Sequence, residues 1–166
     1  MRDILFVFDA EDASRAAVVL RRAEALFKLR SIEISEAANA ASTVAEQEIE
    51  AAMRESATTV WLLGARRRLR AAQAFAMARG IAEGKPAIVI DISKIKTLRP
   101  DSTAHPIAVP RGAAFYFWLK DDGYANLGGW VSNAGIRAVN ASAPRPLPHE
   151  AARSQAPHRH TLYSAL

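Results

Sequence analysis

The chain has 166 residues, half of them hydrophobic, and carries a net charge of +5 without a single cysteine. This length supports one domain with a substantial core and leaves little room for a second, and the lack of cysteine excludes disulfides, thiolate metal sites and a cysteine nucleophile. The first apolar run, residues 4 to 8, is too short for a signal peptide or a membrane span, so we expect a cytoplasmic protein.

The first part of the chain alternates short apolar runs with amphipathic stretches. Residues 4 to 8 form a continuous apolar run, which is typical of a buried parallel strand. Residues 13 to 27 repeat apolar side chains at helical spacing, and Asp12 stands in the N-cap position before them. A short alternating strand is predicted at 31 to 34 and a second helix over 45 to 55.

The same alternation continues up to residue 92. β-Branched and apolar residues at 58 to 63 predict a third strand that ends at Gly64. An alanine-rich helix is predicted over 69 to 83 and a fourth strand over 86 to 92. Four strands separated by three helices predict an α/β fold with a parallel sheet covered on both faces. We expect the strand order 2-1-3-4.

Beyond residue 92 the regular alternation stops. Residues 93 to 114 are predicted to form a long irregular connection, and residues 115 to 139 hold most of the late aromatic side chains. From residue 141 onward the chain is rich in proline and poor in apolar side chains, which favours a flexible tail. We therefore divide the chain into a domain over 1–140 and a tail over 141–166.

The loops at the carboxyl ends of the strands are where an open parallel sheet binds its ligands. We predict ligand-binding residues at the ends of the first three strands and in the loops that follow: Phe8, Asp9, Ala10, Asp12, Ser35, Gly64 and Arg66. Asp9 and Asp12 are equally compatible with capping the first helix, and Phe8 with a place in the core. Neither a glycine-rich dinucleotide motif nor a P-loop motif occurs there, and no metal site is predicted.

The dense basic run at residues 66 to 70 has three explanations. It can be a solvated surface, it can contact phosphate groups, or it can bind nucleic acid. Nucleic acid is the least favoured partner, because no aromatic side chains are interleaved with the arginines for bases to stack on.

Three parts of the chain carry a pattern that extends over its domain. Residues 3 to 12 read as an apolar strand followed by acidic side chains. Residues 56 to 64 read Ser-Ala-Thr-Thr-Val-Trp-Leu-Leu-Gly, and Gly-Lys-Pro-Ala-Ile begins at residue 84. Residues 116 to 134 contain a Trp, an Asp-Gly, an Asn and a Trp-Val in this order. Together these segments resemble TIR domains, and most closely the TIR-like subunit of Thoeris antiphage systems.

The resemblance implies a flavodoxin-like, three-layer fold and a role in prokaryotic immunity. It implies that the native protein cleaves NAD at the nicotinamide ribosyl bond without a metal, and cyclises the remaining ADP-ribose into a signal for a partner effector. It also implies self-association. The reaction needs a carboxylate close to the ribose to stabilise an oxocarbenium-like transition state. In the family this carboxylate is a glutamate on the helix after the third strand, and the matching position here is Ala76.

An alanine at this position leaves three explanations open. Ala76 can be an engineered replacement of a catalytic glutamate, or a natural loss that leaves a binding or assembly module, or another carboxylate such as Glu36 or Glu83 can serve. The family's tryptophan before the glutamate is also missing, since residues 71 to 74 read Ala-Ala-Gln-Ala, which favours natural divergence. We expect residue 76 to face the crevice at the carboxyl ends of the first and third strands, and Ala76→Glu to create or restore NAD cleavage.

Overall fold

A computed structural model describes residues 3–35, 42–65, 69–96 and 109–142. The strands of these ranges are β1 (Asp3–Asp9), β2 (Lys28–Ile34), β3 (Thr58–Leu63), β4 (Ala87–Asp91) and β5 (Ala114–Phe117). The helices are α1 (Ala13–Glu24), α2 (Ser42–Glu55), α3 (Ala71–Ala82) and α4 (Gly123–Ser142), and a short 3-10 turn, Ala10–Asp12, joins β1 to α1. No helix in these ranges is long and apolar enough to cross a membrane.

The strands form one parallel sheet in the order β2-β1-β3-β4-β5. The predicted α/β class, the parallel pairing and the order of the first four strands are confirmed, and the architecture is consistent with a flavodoxin-like fold. The prediction of an irregular connection is wrong at residue 114, where β5 begins. β5 has only four residues and apolar side chains on both of its faces, so it shows no alternation that would separate it from the surrounding aromatic segment.

Each face of the sheet buries its own apolar cluster. The first cluster lies under α1 and α4 and includes Phe6, Phe8, Val19, Val60, Ile88, Ile90, Leu127 and Trp130. The second cluster lies under α2 and α3 and includes Leu5, Val7, Ile49, Met53, Trp61, Leu63, Ala76, Met77 and Val89. Because β1, β3 and β4 are covered on both faces, their sequences are continuous apolar runs instead of alternating ones.

The late aromatic side chains attach α4 to the sheet. Trp118 and Trp130 both belong to the first cluster, and the ring of Tyr116 stacks on that of Trp130 with centroids 4.3 Å apart. At Gly123 a Cβ atom would lie 2.2 Å from Cε3 of Trp118, so a side chain there would displace the indole. The Trp and the Gly of the sequence pattern in this segment therefore pack against each other, as Trp118 and Gly123.

The predicted boundary between domain and tail falls inside a helix. Residues 141 and 142 belong to the last turn of α4. The remainder of the predicted tail, from residue 143, lies outside the described residues.

Candidate functional site

The candidate site lies at the carboxyl ends of β1 and β3. These strands are neighbours, but the chain leaves β1 toward β2 on one side and leaves β3 toward β4 on the other. Open α/β sheets bind ligands at such a switch point. Asp9 is the last residue of β1 and Asp12 lies in the turn that follows, and the segment after β3 supplies Gly64, Ala65 and Arg70. Three predicted site residues, Asp9, Asp12 and Gly64, therefore lie at this crevice.

Asp9 is paired with Arg70 across the crevice. The guanidinium Nε of Arg70 donates to Oδ2 of Asp9, and Nη2 donates to Oδ1 at 3.2 Å. Neither side chain is more than 10% exposed. Oδ1 of Asp9 also accepts the amide of Glu11 at 3.0 Å, which closes the turn after β1. A two-pronged guanidinium–carboxylate contact is strong and geometrically specific, so this pair joins the first loop to the start of α3.

Arg70 is a site residue that the sequence indicates only as a member of the basic run at residues 66 to 70. It occupies the N-cap position of α3, and its amide donates to Oε1 of Gln73 at 2.8 Å. Gln73 is buried, and its bond fixes the first turn of the helix beside Asp9. A Gln three residues after the N-cap is half of a capping-box signature, and this spacing could have indicated where the helix begins.

Asp12 makes a second connection between the loops. Its Oδ1 accepts the Ala65 amide at 2.8 Å and Nη1 of Arg15 at 3.2 Å. The loops approach so closely that a Cβ at Gly64 would lie 1.9 Å from Oδ1 of Asp12. Asp12 stands at the N-cap position of α1, as predicted, but its side chain makes no capping hydrogen bond there. The carboxylate bonds the amide of Ala65 instead, so Asp12 connects the two loops.

Burial raises the pKa of the Asp12 carboxyl above its ordinary value. The bond from the Ala65 amide and the nearby Arg15 guanidinium act in the opposite direction, and the charge of Asp9 adds to the increase. Loss of solvation is the largest of these effects, so the ionised form of Asp12 is less favourable in the folded protein than in the unfolded chain.

Asp12→Asn should change how stability depends on pH. Because the pKa of Asp12 is raised on folding, its contribution to stability is fully present below the unfolded-state value of about 4 and is lost as the pH rises through the folded-state pKa. Urea unfolding of both proteins between about pH 3 and pH 7 measures this effect. The free energy of unfolding of the wild type, minus that of the variant, should fall with rising pH. A difference that rises with pH would contradict the assignment.

The other predicted ligand-binding residues take no part in the two ion pairs of the crevice, as far as the structure describes them. Phe8 is buried in the first cluster, where it serves the core and not an exposed stacking surface. Ala10 is half-buried in the 3-10 turn, and Ser35 is half-buried directly after β2. Arg66 lies outside the described residues.

Ala76 does not face the crevice, so that expectation is wrong. Its side chain is fully buried in the second cluster and borders a groove between α2 and α3. The lining of this groove includes Met53, Gly80 and Lys85. The groove has a free volume of about 20 Å³, roughly the space that a single water molecule needs. The position that the resemblance assigns to a catalytic glutamate is therefore a core position here.

Of the two alternative carboxylates, Glu83 lies at the end of α3 that is farther from Arg70. Glu83 follows the last turn of α3, where it pairs with Arg79 at 3.1 Å. Thirteen residues separate it from Arg70, which corresponds to about 20 Å along a helix. Glu36 lies outside the described residues.

The end of β4 adds polar groups to the same edge of the sheet. Oδ1 of Asp91 accepts the amide of Ser93 at 2.8 Å, and the buried hydroxyl of Ser93 has no hydrogen-bond partner within the described ranges. Lys94 and Lys96 follow and are exposed. The described residues bring together no group of three side chains that could hold a metal ion.

The site thus combines two carboxylates that are bonded to arginines and backbone amides with lysines at its margin. This arrangement disfavours general acid or base chemistry, because the carboxylates already have partners, and the exposed lysines favour an anionic ligand. Comparisons by sequence find no protein-family model that matches this chain and no curated protein that is similar to it.

Proposed function

We propose that this chain is a TIR-like module of prokaryotic antiphage immunity that binds an ADP-ribose-type nucleotide at the carboxyl edge of its sheet and does not cleave NAD. The observation that carries the proposal is the burial of Ala76 in the second cluster. Cleavage at the ribosyl bond needs a carboxylate near the ribose, and α3 contains no acidic residue.

The engagement of Asp9 and Asp12 supports the same conclusion. Each accepts hydrogen bonds from an arginine and from a backbone amide. The paired arginine offsets part of the negative charge of each carboxylate, so each stabilises a ribosyl cation less than a carboxylate without a cation beside it would. The NAD-cleaving, ADP-ribose-cyclising activity implied by the resemblance is therefore the less favoured function.

The charge of the carboxyl edge supports an anionic ligand. Lys94 and Lys96 follow β4 at this edge and are exposed. Arg66, Arg67 and Arg68 come soon after β3 in the sequence and lie outside the described residues. The nearby Asp9 and Asp12 are paired with cations, so they offset little of this positive charge. Local positive potential attracts phosphate groups. In this proposal the bound nucleotide changes self-association of the module or its contact with an effector.

Isothermal titration calorimetry with ADP-ribose and NAD, together with an assay for nicotinamide release, tests the proposal. We expect binding of ADP-ribose and no nicotinamide. The double change of Lys94→Glu with Lys96→Glu should weaken binding about tenfold or more, because each charge-assisted contact is worth about 1.5 to 3 kcal/mol.

Lys28→Glu is the matched control, because Lys28 is exposed at the opposite, amino end of the sheet. It should leave the affinity for ADP-ribose unchanged. Release of nicotinamide by the wild type would contradict the non-cleaving function, and failure to bind either nucleotide would contradict the binding function.

A further inference from the structure

We propose that Asp9 is an internal competitor for the anionic ligand: its carboxylate occupies the guanidinium of Arg70, and a phosphate group binds Arg70 after displacing Asp9. The choice of a nucleotide rests on the function proposed above. The anion site itself rests on the geometry of the Asp9–Arg70 pair.

Arg70 presents the groups that a phosphate would need. Its Nε and Nη2 atoms both point to one carboxylate, and the same fork of donors fits two phosphate oxygens. The backbone of Arg70 is also fixed at the start of α3, since its amide donates to the side chain of the buried Gln73. The carboxylate of Asp9 therefore occupies a position in which a phosphate oxygen pair would meet the same donors.

The Asp9–Arg70 pair can open without separating the two loops. The bond from the Ala65 amide to Asp12 also joins the loop after β1 to the loop after β3, and it does not involve Arg70. Gly64 keeps that contact close. Displacement of Asp9 therefore requires its side chain to turn toward solvent and to release the Glu11 amide, while the bond between Asp12 and Ala65 keeps the two loops together.

The competition sets a threshold for binding. A carboxylate held on the same chain acts at an effective concentration of the order of millimolar or higher. A phosphate ligand must therefore bind Arg70 more strongly than the Asp9 carboxylate does at this effective concentration. The larger negative charge of the phosphate favours it over the carboxylate. The wild type should therefore bind simple phosphates weakly, and removal of the Asp9 charge should strengthen binding.

The test measures binding of inorganic pyrophosphate and of ADP-ribose to Asp9→Asn by calorimetry. Asparagine keeps a side-chain oxygen for the Glu11 amide but lacks the charge that holds Arg70. We expect the dissociation constant of both ligands to fall about tenfold or more, in line with the loss of one charge-assisted contact. Adding Arg70→Gln to this variant should abolish the gain.

Asp3→Asn is the control for net charge, since Asp3 lies at the amino end of β1 and pairs with Lys28 on the surface. It should leave the affinity for pyrophosphate unchanged. Circular dichroism and thermal unfolding establish that each variant is folded. If Asp9→Asn does not fold, Asp9→Ser takes its place, because serine also offers an oxygen to the Glu11 amide.

The outcomes separate this inference from the proposed function. An unchanged or weaker affinity of the folded Asp9 variant for pyrophosphate overturns the inference, while ADP-ribose binding by the wild type would still support the proposed function. A gain for pyrophosphate without ADP-ribose binding by any variant supports the anion site and overturns the nucleotide ligand. A gain that persists with Arg70→Gln also overturns the inference.

Discussion

Ala76→Glu is expected to lower the free energy of unfolding by about 3 to 5 kcal/mol and to create no nicotinamide release. Ala76 is fully buried among Ile49, Met53, Trp61 and other members of the second cluster. A carboxylate there loses its hydration, and its extra atoms exceed the small groove beside it.

Chemical denaturation of the wild type and Ala76→Glu measures this loss of stability. Ala78→Glu is the matched control, because Ala78 is exposed on the same helix. The control should change stability by less than about 0.5 kcal/mol, as is usual for surface substitutions. If Ala76→Glu is as stable as the wild type and releases nicotinamide, residue 76 reaches the active crevice and the non-cleaving function is wrong.

Gly64→Ala should destabilise the protein by about 3 kcal/mol or more, since it combines overpacking with a broken buried hydrogen bond. The new Cβ would lie 1.9 Å from Oδ1 and 2.0 Å from Cγ of Asp12. Asp12 would have to move, which would break its bonds to Ala65 and Arg15. Its carboxylate would then be buried without the partners that now offset part of its desolvation.

Gly129→Ala is the same substitution at a second glycine, and we expect it to raise stability instead of lowering it. Gly129 lies inside α4, and a Cβ there would meet nothing within 4 Å. Alanine should stabilise this helix by about 0.5 to 1 kcal/mol, because glycine is the poorer helix former. Thermal unfolding of both variants tests the pair. Equal changes in stability for Gly64→Ala and Gly129→Ala would contradict the close approach of Asp12 to Gly64 at the end of β3.

The sequence by itself determined the fold class and the edge at which to look for ligands. Strands buried on both faces must be apolar throughout, so β1, β3 and β4 were visible as continuous runs. Parallel strands bring their carboxyl ends to one edge, and this rule alone placed Asp9, Asp12 and Gly64 together. The sequence did not predict β5, which pairs with β4, because this strand is short and apolar on both faces.

Only the tertiary structure decided which groups meet. The partner of Asp9 is Arg70, separated from it by 61 residues, and no local pattern encodes so distant a pair. The direction of Ala76 also depends on how α3 is rotated against the sheet. Each residue turns a helical side chain by about 100°, so the direction of one side chain depends on the rotation of the whole helix. The sequence correctly placed residue 76 in a helix after the third strand, but packing in the second cluster set the direction in which its side chain points.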